Sequence, residues 1–146
     1  VNSVELFLLG RVLMKLGEQG MPQLTDAQRG GGGDRVALVV ATEIAMYPGT
    51  TAAEVTVRTG FPQSQVSAAV AQLVTAGSVE ASRDPGDGRR TLLHPARRVS
   101  SRVAEVRAAS VDGIVAELVG EADLRRVMDA LEFLAATLNP AKAGGR

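Results

Sequence analysis

Residues 83–93 read RDPGDGRRTLL, and the fold turns on this run. Pro85, Gly86, Asp87 and Gly88 are turn formers, and SVEASRD on one side and RRTLLH on the other read as strands. The expectation is a two-stranded hairpin with a polar tip. Arg83, Arg89 and Arg90 surround that tip. A single arginine there is ordinary, whereas a cluster points to a surface that meets something negative.

Immediately upstream, TTAAEVTVRTG opens with Thr51-x-x-Glu54, a capping box, and closes on Gly60. Phe61-Pro62 then turns the chain into QSQVSAAVAQLVTAG. There Val66, Val70, Leu73 and Val74 form an apolar stripe before Gly77. A short capped helix, a turn containing glycine and a second amphipathic helix constitute a helix-turn-helix candidate. The opposite face of the second helix offers Gln63, Ser64, Gln65, Ser67, Ala68 and Gln72. Such small and amide side chains can lie against a groove and hydrogen-bond base edges. Gln63 to Ala76 contains no Lys or Arg, so an ordinary amphipathic core helix stays open as the alternative.

Further upstream, DRVALVVATEIAMYPG starts with a capping-type Asp34 and carries Val36, Val40, Ile44 and Tyr47 at core-helix spacing. Before it, QRGGGGDR places four glycines in a row, which predicts a flexible linker over 28–35. A phosphate-binding loop would need Lys-Ser/Thr after the last glycine, and Asp34-Arg35 stand there instead. At the start of the chain, Leu6, Leu9, Leu13 and Leu16 share a helical face, and Val4, Phe7, Leu8, Val12 and Met14 carry the apolar surface almost around it. Such a helix calls for burial on more than one side, in part by a partner subunit. Glu5, Arg11 and Lys15 interrupt this run well short of the roughly 20 apolar residues of a membrane span. With no signal-peptide pattern, a soluble cytoplasmic protein is expected.

Downstream of the hairpin two long helices are predicted, one from about Ala96 and one with Leu124, Val127, Met128, Leu131, Leu134 and Leu138 in a stripe. The 146 residues suit one domain. The net charge is zero, so an anionic partner has to be met locally. Arg83, Arg89, Arg90, Arg97, Arg98 and Arg102 make the middle basic, and the region from Glu105 to Glu132 is mainly acidic. Absence of cysteine excludes disulfides and thiol chemistry, and one histidine, His94, leaves little to hold a metal. No cofactor or metal is expected. No catalytic set stands out, and no enzyme is expected.

A helix-turn-helix followed by a charged hairpin is the plan of a winged helix. From the apolar first helix through TAAEVTVRTGFPQSQVSAAVAQLVTAGSVE and DPGDGRR to the closing helix pair, the chain resembles the MarR family of transcription regulators. The resemblance implies a mainly α fold with a small β-hairpin wing. It also implies one domain over 1–146, with dimerisation helices at 1–20 and 96–139 and a winged helix-turn-helix lobe at 34–95. Carried over, Asp87 orients Arg89, Arg89 enters the minor groove, and Arg83 and Arg90 meet backbone phosphate. Arg97 and Arg98 add to the affinity. The returning strand TLLHP is shorter than the family's and has His94 where a threonine cap would stand. The implied partners are a second copy of the chain and a roughly palindromic double-stranded DNA site. A small aromatic or lipophilic effector is a further implied partner, with Leu13, Met14, Met46 and Tyr47 as candidates to line its pocket or simply to pack the core. A repressor is the leading expectation; a winged-helix module for protein association that does not bind DNA is the alternative. For Asp87 and Arg89 taken alone, a solvated surface pair is the competing explanation.

Overall fold

The computed structural model describes residues 1–21, 32–97, 104 and 108–138. Its helices are α1 (Ser3–Gly20), α2 (Gly32–Met46), α3 (Ala52–Thr59), α4 (Gln63–Thr75), α5 (Asp112–Val119) and α6 (Glu121–Thr137). Two strands, β1 (Val79–Arg83) and β2 (Thr91–Pro95), pair antiparallel. The fold is thus mainly helical with one two-stranded hairpin. Contacts divide the chain into two compact units, one holding α1, α5 and α6 and the other α2 to α4 with the hairpin.

In the first unit, α1 begins at a reciprocal capping box. Asn2 Oδ1 accepts the N–H groups of Val4 and Glu5, and Glu5 Oε2 accepts the N–H of Asn2. Neither α1 nor α6 has a fully buried residue within this chain, whereas Val115 of α5 is fully buried. An open groove of about 470 Å³ runs between Leu9 and Leu13 of α1 and Val127, Leu131 and Leu134 of α6. The uninterrupted helix expected from about Ala96 to Val119 is not found. Ala109 to Val111 are not helical, because Ser110 turns the backbone there: its Oγ accepts the Asp112 N–H at 3.1 Å and donates to Asp112 Oδ1. Gly120, at φ 78°, then separates α5 from α6.

The second unit is organised by the apolar stripe of α2. Val40, Ile44, Val55, Val66 and Leu93 are fully buried, joined by Ala37, Ala69 and Val79. Val70 and Leu73 pack on this cluster, whereas Val74, expected on the same stripe, is exposed. The 66/69/73 spacing keeps one helical face inward, and position 74 rotates past it. Tyr47, also expected on a core stripe, is 47% exposed, since α2 ends one residue earlier.

The helix α2 corrects the expected linker at 28–35, because it starts at Gly32 and so includes Gly32, Gly33, Asp34 and Arg35. The first N–H groups of any helix lack intrahelical partners, and packing of Ala37, Val40 and Ile44 holds the helix that these glycines begin. Residues 28–31 lie outside the described residues.

The turn into α3 was legible as written. Thr51 Oγ1 accepts the Glu54 N–H at 3.2 Å, Glu54 Oε2 accepts the Thr51 N–H at 2.8 Å, and Gly60 ends the helix at φ 71°. The hairpin has a third rail that the sequence did not announce. Leu93 N–H donates to Thr50 O at 2.7 Å and Gly49 N–H to Leu93 O at 2.8 Å, tying β2 to the segment between α2 and α3.

Candidate nucleic-acid interface

The tip of the hairpin is built by two aspartates. Asp84 Oδ1 accepts the Gly86 N–H at 2.8 Å and Asp87 Oδ1 accepts the Arg89 N–H at 3.0 Å, each an Asx turn closed two residues on. Backbone bonds from Asp84 N–H to Arg90 O and from Arg90 N–H to Asp87 O complete the loop. Strand β2 begins only at Thr91, so Arg89 and Arg90 belong to the tip and not to the returning strand. The expected side-chain brace between Asp87 and Arg89 takes another form: the carboxylate holds the Arg89 backbone, and the guanidinium has no ion pair among the described residues.

Arg90 is arranged in the opposite way. Its Nη2 lies 3.4 Å from Glu54 Oε1 and its Nη1 3.6 Å from Asp84 Oδ2, so both ends of the guanidinium face a carboxylate. Arg83, at the end of β1 opposite Thr91, is exposed, as is Arg97 just beyond β2. Arg98 lies outside the described residues.

The helix α4 presents Gln63, Ser64, Gln65, Ser67 and Ala68 to solvent, while Val66 and Ala69 point into the core. Its N-cap is Pro62, which offers no side-chain acceptor, and no acid stands in its first turn. A shallow concavity of about 500 Å³ is lined by Ala53, Ser67, Ala71, Arg89, Arg90 and Thr91, among others, and brings the outward face of α4 beside the wing tip. The result is one open surface with amides and hydroxyls on a helix and guanidinium groups on a hairpin.

A polar network under this surface was not legible in the sequence. Arg58 Nε donates to Glu43 Oε2 at 2.7 Å and Nη2 to Thr50 Oγ1 at 2.9 Å, and its guanidinium carbon lies 4.3 Å from the centre of the Tyr47 ring. Thr50 Oγ1 also donates to Glu54 Oε2 at 3.0 Å. The Thr51 N–H and the Thr50 hydroxyl hold the Glu54 carboxyl below its ordinary pKa, against a small opposing effect of burial, and the charge of Arg90 adds to the lowering. In the sequence Glu54 carried only the signal of a helix cap, and its partner Arg90 is 36 positions away.

Of the effector candidates, Leu13 lines the groove of the first unit, and Met14 is 69% exposed on α1. In the second unit Met46 is half exposed at the end of α2, and the Tyr47 ring lies beneath Arg58. No group of three or more metal-ligating side chains occurs among the described residues.

A helix-turn-helix closed by a two-stranded hairpin defines a winged helix-turn-helix protein. Residues 34–90 match the model of the MarR family, a segment that runs from the start of α2 to the tip of the hairpin. No curated protein matches the chain in sequence. Among solved structures, a SlyA-like transcription regulator from Listeria monocytogenes is 14% identical with a TM-score of 0.65, covering 89% of this chain and 85% of that one. The PcaV regulator from Streptomyces coelicolor, solved with its natural ligand, is 24% identical over 90% of this chain and 92% of its own, with a TM-score of 0.56. The repressor CouR, solved on a 23-mer DNA duplex, is 22% identical over 90% and 89%, with a TM-score of 0.60. At these identities the likeness is one of fold.

Proposed function

We propose that this chain is a transcription regulator of the MarR family, a cytoplasmic homodimer that binds a roughly palindromic duplex site and represses transcription from it. The observation that carries the reading is the shared surface of α4 and the wing, where Ser67 and Arg89 line one concavity and, among the described residues, Arg89 has no carboxylate on its guanidinium. In this reading α4 lies in the major groove with Gln63, Ser64, Gln65, Ser67 and Ala68 toward the bases. Arg89 enters the minor groove, where negative potential favours it. Arg83, Arg97 and Arg98 meet phosphates, and the Asp87 carboxylate sets the backbone from which Arg89 projects.

The dimer is supported by the apolar side chains that the first unit leaves in solvent, among them Leu6 at 61%, Phe7 at 66% and Phe133 at 68% exposure. A two-fold axis through such an interface would space two wings for half-sites about 34 Å apart or a multiple of it. CouR is a repressor solved on DNA and PcaV a regulator solved with a ligand. By analogy a small aromatic or lipophilic effector releases this protein from its site, with Leu13 and Met14 of the first unit or Met46 and Tyr47 of the second as candidate contacts. The lack of Lys and Arg on α4 favours one second reading, a winged helix that docks protein.

The test is a titration of the full chain and Arg89→Ala against duplex fragments of genomic DNA over a salt series. Site-preferring binding that weakens with salt, and a variant whose log–log salt slope is shallower by about one, support the DNA reading. Equal, negligible binding by both proteins on all fragments overturns it in favour of protein docking.

A further inference from the structure

Glu54 is committed at both carboxylate oxygens. Oε2 accepts from the Thr51 N–H and the Thr50 hydroxyl, and Oε1 faces Arg90. Because the second end of the Arg90 guanidinium faces Asp84, where the tip begins, this one arginine ties both ends of the tip to the first turn of α3. Behind Glu54 the contacts continue through Thr50 and Arg58 to Glu43 of α2. Among the described residues, Glu54–Arg90 is the only ion pair between the hairpin and the helices.

A two-stranded hairpin has little rigidity of its own. This one is anchored by the burial of Val79 at the end away from the tip and, at the middle of the strands, by the burial of Leu93 and its bridge to Thr50. The tip carries Gly86 and Gly88 and no apolar anchor. Beyond Leu93 the attitude of the tip toward α4 is set by the clasp at Arg90. With both side chains 48% exposed, such a pair adds little to stability, so its consequence is orientation.

We propose that Glu54 is a positioning residue for the wing: by holding Arg90 against the start of α3, it fixes where the Arg89 guanidinium meets DNA. Arg90 in this role is a clasp and not a phosphate contact. The inference rests on reading the hairpin as a DNA-contacting wing, and it makes a prediction of unusual sign. Removing a carboxylate from a surface that faces DNA should, by Coulomb's law alone, tighten binding. Loss of a clasp should weaken it, by roughly twofold to fivefold for an exposed pair.

Two measurements on Glu54→Gln, Arg90→Gln and the double variant of the full chain decide the matter. Glutamine keeps an oxygen for the Thr51 cap, and an unchanged pattern of α2 to α4 amide resonances verifies the fold. The first measurement is backbone ¹⁵N relaxation at Gly86, Gly88 and Arg89 in the free protein. The expected result is that each single variant loosens the tip and the double variant loosens it no further. An unchanged tip in Arg90→Gln overturns the clasp, and this variant alone decides if Glu54→Gln does not fold. The second is binding to the duplex the wild type prefers, across a salt series. Weaker binding by both single variants at an unaltered salt slope supports the proposal. Tighter binding by Glu54→Gln, or a slope shallower by about one in Arg90→Gln, overturns it. Should the wild type bind no duplex, the DNA reading fails while relaxation still tests the clasp.

Discussion

Arg58 Nε donates to Glu43 Oε2 at 2.7 Å, which joins the last turn of α3 to α2 fifteen positions earlier. Both side chains are only about one-fifth exposed, and the same guanidinium bonds Thr50 and covers the Tyr47 ring. One arginine thereby fixes the angle at which the helix-turn-helix leaves α2.

Replacing Arg58 with Met keeps the stem and removes every polar contact of the guanidinium, leaving the largely buried Glu43 carboxylate without this partner. A loss of about 1–3 kcal/mol is expected in urea unfolding. A change below about 0.3 kcal/mol would show the pair to be incidental.

Gly60 sits at φ 71°, and its N–H donates to Thr56 O at 3.0 Å as α3 ends. A Cβ is strained in that left-handed region. Gly60→Ala is expected to cost about 1 kcal/mol, read as a lowered denaturation midpoint at constant slope.

Glu54 has a folded pKa below its unfolded value of 4.5. Its contribution is thus fully present above the unfolded pKa and is lost as pH falls through the folded one. The groups around it are Thr50, Thr51 and Arg90, with Asp84 on the far side of Arg90. Acid unfolding curves for the wild type should therefore steepen below pH 4.5, and Glu54→Gln should flatten that limb while leaving the neutral plateau nearly level. Superimposable acid limbs would contradict this assignment.

Gln65 and Ser67 are exposed on α4, one on each side of the buried Val66. If this face reads bases, Gln65→Ala and Ser67→Ala should each relax preference at one position of the half-site by about 1–3 kcal/mol, without altering the salt slope. Selection of preferred duplexes from a random pool would show the change. Identical selected sites for variant and wild type would remove these residues from the readout.

Local chemistry was legible wherever it is settled by neighbours. The Thr51–Glu54 box, the stop at Gly60, the hairpin at 79–95 and the outward face of α4 each follow from a few adjacent residues. The Asn2–Glu5 box has the same kind of signal, Asn-x-x-Glu before an apolar run, and could have been found by the same rule. The break at Ser110 is subtler, because a serine competes with the helix only through a bond to its own backbone two residues on.

The sequence by itself determined the capped start of α3, the inward stripe of Val40 and Ile44, the hairpin and the crowding of guanidinium groups at its tip. Only the tertiary structure decided which arginine is spoken for. Arg83, Arg89 and Arg90 are alike as letters, yet Arg90 faces Glu54 and Asp84, while Arg89 is held, among the described residues, through its backbone N–H on Asp87. The same holds for the start of α2 at Gly32 and for Thr50 as a partner of Leu93. Caps and turns are bonded within a few residues of chain, so their partners are near in sequence. An ion pair, a bridge between distant strands or the packing that sustains a weak helix end depends on groups brought together only after the chain has folded.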